Sequence, residues 1–285
     1  MSENITHVAV CDDCHRLLSR LPQICSAFQE AITHRELARL GSVTRATDRF
    51  NPPLLARIRE GWAGREPAEN LPRKLAFSLG ALCHRAADRT FKPVFRALQP
   101  GYQVSPSDVS VYHDVTLFRE VYKEGAEPPY SPDLFKAETA FEEHFRVLVQ
   151  RALIAMHTFI PDVENAEAWL EQVIDLRQRF YVELARYAAA YNDPDPAKVE
   201  RYIIEPNFYD ETDPLLQLAR AIQKGEAVSG AQVAEALEAE AGSQYDQAVR
   251  RGLRYLRVAN GFFLGEMDAD ALRQGLEIGR PELAG

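Results

Sequence analysis

At 285 residues the chain is long enough to bury a large core and to form one or two domains. Its 46% hydrophobic and 26% charged residues are ordinary for a globular protein, and a formal net charge of -9 argues against a dedicated nucleic-acid binder. The four cysteines are too few for a disulfide framework. Ala152-Leu153-Ile154-Ala155-Met156 runs straight into His157, so no stretch reads as a membrane span. The opening Met-Ser-Glu-Asn-Ile-Thr-His lacks the basic and apolar regions of a signal peptide, and a cytoplasmic location is expected.

The first predicted helix starts near Thr6, whose hydroxyl can cap it, and carries His7, Cys11 and Cys14. Gly41 to Phe50 reads as a loop bearing Asp48. Pro72 suits a first helical position and Pro93 an end, which predicts a helix over about 72–91 containing His84 and Asp88. Ser105-Pro106-Ser107-Asp108 reads as a helix start, with His113 inside that helix and Glu120 two turns on. Two long amphipathic helices follow, with stripes from Phe141 to Phe159 and from Trp169 to Tyr191. They are expected to pack antiparallel across Pro161-Asp162. Asn192 to Pro196 breaks the pattern, and shorter helices are expected at about 196–204, 213–223, 230–240 and 243–263. Strand signals are sparse. The predicted fold is an all-α multi-helix bundle, with residues 1–191 forming the core and 192–285 a C-terminal extension packed on it.

His84 and Asp88 lie one turn apart on a helix face with small residues beside them, a spacing at which an imidazole and a carboxylate can hold one divalent metal. A buried histidine tied to a carboxylate satisfies the same spacing, and Arg85 or Arg89 could pair with Asp88 instead. Cys11-x-x-Cys14 suggests zinc, yet a structural site needs four ligands and no second such pair exists, so these thiols read as packing groups. Asp48, between Arg45 and Arg49, reads alone as a turn or ion-pair residue. His113 and Asp114 point about 100° apart on a helix, so His113 with Glu120 is the same-face alternative. His144 and His157 read as core or boundary histidines, and His15 and His34 as surface ones. No glycine-rich phosphate loop, Gly-x-Ser-x-Gly elbow or His-Glu-x-x-His pair is present.

Four fragments together resemble the bacterial zinc-dependent phospholipase C family, whose all-α fold is shared with single-strand-specific nucleases. They are Thr6-His7, Leu40-Gly41-Ser42-Val43 leading to Asp48, Phe77-x-Leu-Gly-x-x-x-His84-x-x-x-Asp88-x-x-Phe91-Lys92-Pro93, and His113. The resemblance covers roughly the first 120 residues. It implies metal ligands at His7, Asp48, His84, Asp88 and His113, with Asp114 or Glu120 completing the set. The family's histidine after the aspartate is Lys92 here, and the acid one turn beyond the later histidine is Leu117. One or two ions, zinc first, are therefore implied rather than three. The implied activity is metal-dependent hydrolysis of a small phosphoester or phospholipid head group. Asp48 or Asp88 would orient the attacking water, and Lys92 or Arg85 would clamp the phosphate.

Two other readings fit the residues. An HD-type phosphohydrolase would use His84, His113-Asp114 and a final acid at Asp162 or Asp175, without His7 or Asp48. A non-catalytic helical scaffold would use the histidines only for packing.

Overall fold

Helix α1 (Asn4–Leu18) is buried on almost every side from Thr6 to Leu18, and Arg16 alone in that stretch is part-exposed. Its alanines, valines and leucines fill the core, as expected of a helix surrounded by others. It begins two residues before Thr6, which is buried within the helix rather than capping it. The computed structural model describes residues 4–44, 47–98, 113, 117, 120–122 and 207–279. Among the described residues the chain is all-α, mostly helical and without strands. The predicted helix at 196–204, the start at Ser105, and the stripes from Phe141 to Tyr191 lie outside these residues, as do Asp114, His144, His157, Asp162 and Asp175.

Short helices α2 (Ser26–Ala31), α3 (Arg35–Val43) and α4 (Asn51–Gly61) follow, the last opened by Pro52 and Pro53 in its first turn. Gly41 to Val43, read from the sequence as loop, close α3, and Thr47–Arg49 form a 3-10 turn around Asp48. Helix α5 (Leu71–Leu98) continues through Pro93, where the sequence predicted an end. Pro93 is exposed and breaks only the local ladder, where it lacks the N–H that would bond the preceding turn. The later elements are α6 (Pro214–Gln223), α7 (Gly230–Glu238), α8 (Gln244–Leu264) and α9 (Ala269–Gly275). The first three agree closely with the predicted spans. Their ends are written in local chemistry: Ser229 and Gln232 form a capping box, Ser243 accepts from the Asp246 N–H, and Gly265 closes α8 at φ 81°.

Helix α5 is the axis. Helices α1, α2, α3, α4 and α8 all pack on it, and α8 packs on α1 as well. The tightest approach is between α3 and α5. A Cβ on Gly41 would lie 2.0 Å from the Phe77 carbonyl oxygen, and one on Gly80 1.8 Å from that of Ala38. Each glycine therefore admits the partner's backbone, and no larger residue fits without the helices parting.

Gly80→Ala should therefore lower the stability by about 3 kcal/mol through overpacking. Urea denaturation followed by circular dichroism reads this as a lower midpoint. Gly64→Ala, where an added Cβ meets nothing within 4 Å, should leave the midpoint almost unmoved.

Candidate metal centre

The glycine contact brings the end of α3 onto the middle of α5, and the Ser42 carbonyl meets His84 Nδ1 at 2.8 Å. A carbonyl can only accept, so Nδ1 carries a proton, and whenever the ring is neutral its lone pair lies on Nε2. This second-nitrogen bond is the arrangement that orients metal-ligating histidines. His84 Nε2 faces Asp88 Oδ2 at 3.4 Å, as the one-turn spacing allows. From the neighbouring helix α1, His7 stacks on His84, ring centroids 4.2 Å apart and planes 19° from parallel. Its Nε2 lies 3.8 Å from Asp88 Oδ1.

One donor atom from each of His7, His84 and Asp88 thus lies within 4.8 Å of the others. Tetrahedral zinc with bonds of about 2.0–2.2 Å needs donors roughly 3.3–3.6 Å apart, so small side-chain adjustments would close the set on one ion. His7 and His84 are buried, while Asp88 keeps 15% of its side chain in solvent. Lys92 Nζ sits at that open edge, 2.5 Å from Asp88 Oδ2. Burial opposes ionisation of Asp88, but the hydrogen bond and charge of His84 in its protonated form, together with His7 and Lys92, outweigh it. They hold its carboxyl well below the usual carboxylate range. The donor set of two imidazoles and one carboxylate suits zinc and leaves a coordination position open, the pattern of catalytic rather than structural sites.

Among the described residues, the other implied ones lie elsewhere. Asp48 is about half exposed and pairs with the Arg85 guanidinium instead of joining the cluster. Arg85 is itself buried; its Nε donates to the Leu276 carbonyl at 2.7 Å and it also bonds the Glu277 carbonyl. It fastens α5 to the turn after α9 and is not displayed to a phosphate. His113 is helical and buried, as expected of a helix interior, but it stacks on Phe208 at 3.8 Å with planes 5° apart. Glu120 is part-buried and is not among the donors that converge with His84. Leu117 is fully buried core.

Two features escaped the sequence reading. His15, expected at the surface, is only 8% exposed because α6 and α3 flank its end of α1. Asp12 and Asp13 lie inside the core on α1. Asp12 accepts from Arg39 Nε and the second guanidinium nitrogen at 2.9 and 3.0 Å and from the Tyr122 hydroxyl at 3.0 Å. Asp13 accepts from Arg16 at 2.6 Å, from the Tyr245 hydroxyl at 2.8 Å and from Arg220. The available signal was an Asp-Asp pair in the middle of an apolar helix, which must find cations to be buried there.

Burial pushes the His113 imidazole down to about 3, from the 6.5 of a free side chain. Between those values the unfolded chain takes up a proton that the folded chain refuses. The stabilisation is complete above pH 6.5 and is lost as the pH falls toward 3, at about 1.4 kcal/mol per pH unit. Urea midpoints of His113→Phe should fall less steeply below pH 6.5 than those of the wild type. Imidazole NMR should show His113 still neutral near pH 5.

Comparison with family models, with curated proteins and with solved structures finds no match to this chain in any of the three. The reading of the centre therefore rests on its donors and their geometry.

Proposed function

We propose that the chain is a phospholipase C-like, metal-dependent hydrolase in which His7, His84 and Asp88 hold one divalent cation, zinc by donor type, and the substrate is a phosphoester. One observation carries the reading. Two imidazoles and an ionised carboxylate from two helices converge within 4.8 Å, with an ammonium at the open edge. A bound cation would supply Lewis-acid polarisation of a phosphoryl oxygen and a water acidic enough to react at neutral pH.

The chain's own groups do the rest. The Ser42 carbonyl keeps the His84 ring from turning, so its Nε2 stays directed at the cluster. Asp88 remains ionised across the neutral range, and an oxygen not engaged by the cation can accept from the attacking water and aim it. Lys92 balances Asp88 while no cation does so. Its side chain is 41% exposed, so it can swing outward and meet the phosphate charge. Asp48 and Arg85 have no part in this scheme, since they are spent on each other and on the turn after α9. His7 within the cluster favours this reading over the HD-type alternative, which needs His113 there and not His7. Among the described residues no helix is long and apolar enough to cross a membrane.

The test is metal analysis and zinc titration of purified wild type against His84→Ala, followed by assays on a soluble phosphodiester and on phospholipid micelles. The wild type should bind one more ion than the mutant. Hydrolysis of one of the two substrates should fall by about 100-fold or more in the mutant. Equal zinc binding by both proteins would leave the cluster as a salt-bridged packing triad in a helical scaffold.

A further inference from the structure

A second convergence of donors on the same two helices lies outside the centre described above. Cys11 and His15 are one turn apart on α1, and Cys83 projects from α5 beside His84. One donor atom from each of the three lies within 4.8 Å of the others. Cys11 and Cys83 are completely buried, and His15 is more than nine-tenths buried. We infer that Cys11, His15 and Cys83 form a soft-metal site that takes a zinc-class divalent cation.

The alternative is three packing side chains, and the imidazole is what that alternative fails to explain. Buried thiols behave as small apolar groups and need no partner. A buried imidazole nitrogen does need one, and His15 Nε2 is sealed from solvent with no hydrogen-bond partner among the described residues. Leaving it so keeps a desolvated nitrogen unsatisfied, a penalty that a coordinated cation would remove. Cys14 stands outside the group, because its thiol donates to the Val249 carbonyl at 3.4 Å. The thiol of Cys11 has a loose contact of 3.6 Å to the Ala38 carbonyl and its hydrogen bond with Cys83 to give up.

Thiolates and an imidazole select zinc and its relatives over magnesium or calcium. Binding is a plain exchange: the two S–H protons leave to water, two thiolate sulfurs bond the cation, and the two negative charges cancel its two positive ones. No oxidant or reductant is needed. The hydrogen bond to Cys83, and burial after it, hold the Cys11 thiol protonated well above its ordinary range, so the exchange strengthens as pH rises. Access runs from the His15 side, where the imidazole borders a cavity of about 560 Å³ that also meets Asp12, Arg16, Arg35 and Arg39.

Cobalt(II) titration of the reduced full-length chain reads this site directly, since thiolate-to-cobalt charge transfer absorbs in the near ultraviolet. The His84→Ala chain isolates it from the histidine–aspartate centre. There, the band should appear with one ion bound and two protons released. Cys83→Ala should abolish it, and His15→Ala should weaken cobalt binding about 10-fold or more. Cys11→Ala serves in place of Cys83→Ala should the latter fail to fold. Absence of the band in the unmutated chain, or its survival in a folded Cys83→Ala or Cys11→Ala chain, overturns the assignment. Either result leaves the His84-dependent ion untouched, so the two centres stand or fall separately.

Discussion

The contact between α3 and α5 at Gly41 and Gly80 sets the geometry on which both candidate centres depend. Each glycine faces a backbone carbonyl of the other helix at a distance that leaves no room for a methyl group. At that separation the Ser42 carbonyl can reach His84 Nδ1, and a carbonyl so placed dictates which imidazole nitrogen keeps its lone pair. A wider crossing would leave the His84–Asp88 pair on the helix surface with both tautomers open. The same crossing lays the Ala38 carbonyl against α5 and beside Cys11 of α1. A steric allowance made by two residues without side chains thus becomes an electronic constraint on the residues around them.

Helix α1 presents the opposite problem, too much charge for its burial. Asp12 and Asp13 are drawn from water into the core, where a lone carboxylate would be very costly. Each is answered by arginine and by a tyrosine hydroxyl from distant parts of the chain, Arg39 and Tyr122 for Asp12 and Arg220 and Tyr245 for Asp13, with Arg16 one turn along α1 also on Asp13. Such pairs add little net stability over an apolar core, but they penalise any packing that leaves one member unpaired. They consequently fix the rotation and axial position of α1 between α3, α6 and α8. That rotation is what turns His7 toward Asp88 and Cys11 toward Cys83.

The two donor groups differ in chemical character although they share the same pair of helices. His7, His84 and Asp88 are borderline and hard donors beside an exposed lysine, an arrangement open to solvent on one side. Cys11, Cys83 and His15 are soft donors within the packed core, with a cavity on the imidazole side. An open edge suits exchange with substrate, and a closed one suits retention of an ion. The proposed roles follow from this contrast, one centre for chemistry and one for holding a cation between α1 and α5.

What the sequence determined by itself was whatever depends on neighbours within a few residues. The spans expected from the sequence match α6, α7 and α8 almost to the residue, because the signals that bound these helices, seen in the structure as the Ser229 and Ser243 caps, act over a single turn. The His84–Asp88 pairing was legible for the same reason. Pro93 misled because a proline inside a helix weakens it without always ending it, and α5 continues past it. Tertiary structure decided the rest. Asp48 and His113 have the right residue types for a metal cluster, but Arg85 claims one and Phe208 stacks on the other. Cys83 looked isolated because its partners lie some 70 residues away along the chain, on a helix whose rotation is set by buried ion pairs. Spacing along a helix can place two donors on one face, whereas the third depends on how the helices cross, and that is governed by glycines and buried charges whose partners lie far away in the chain.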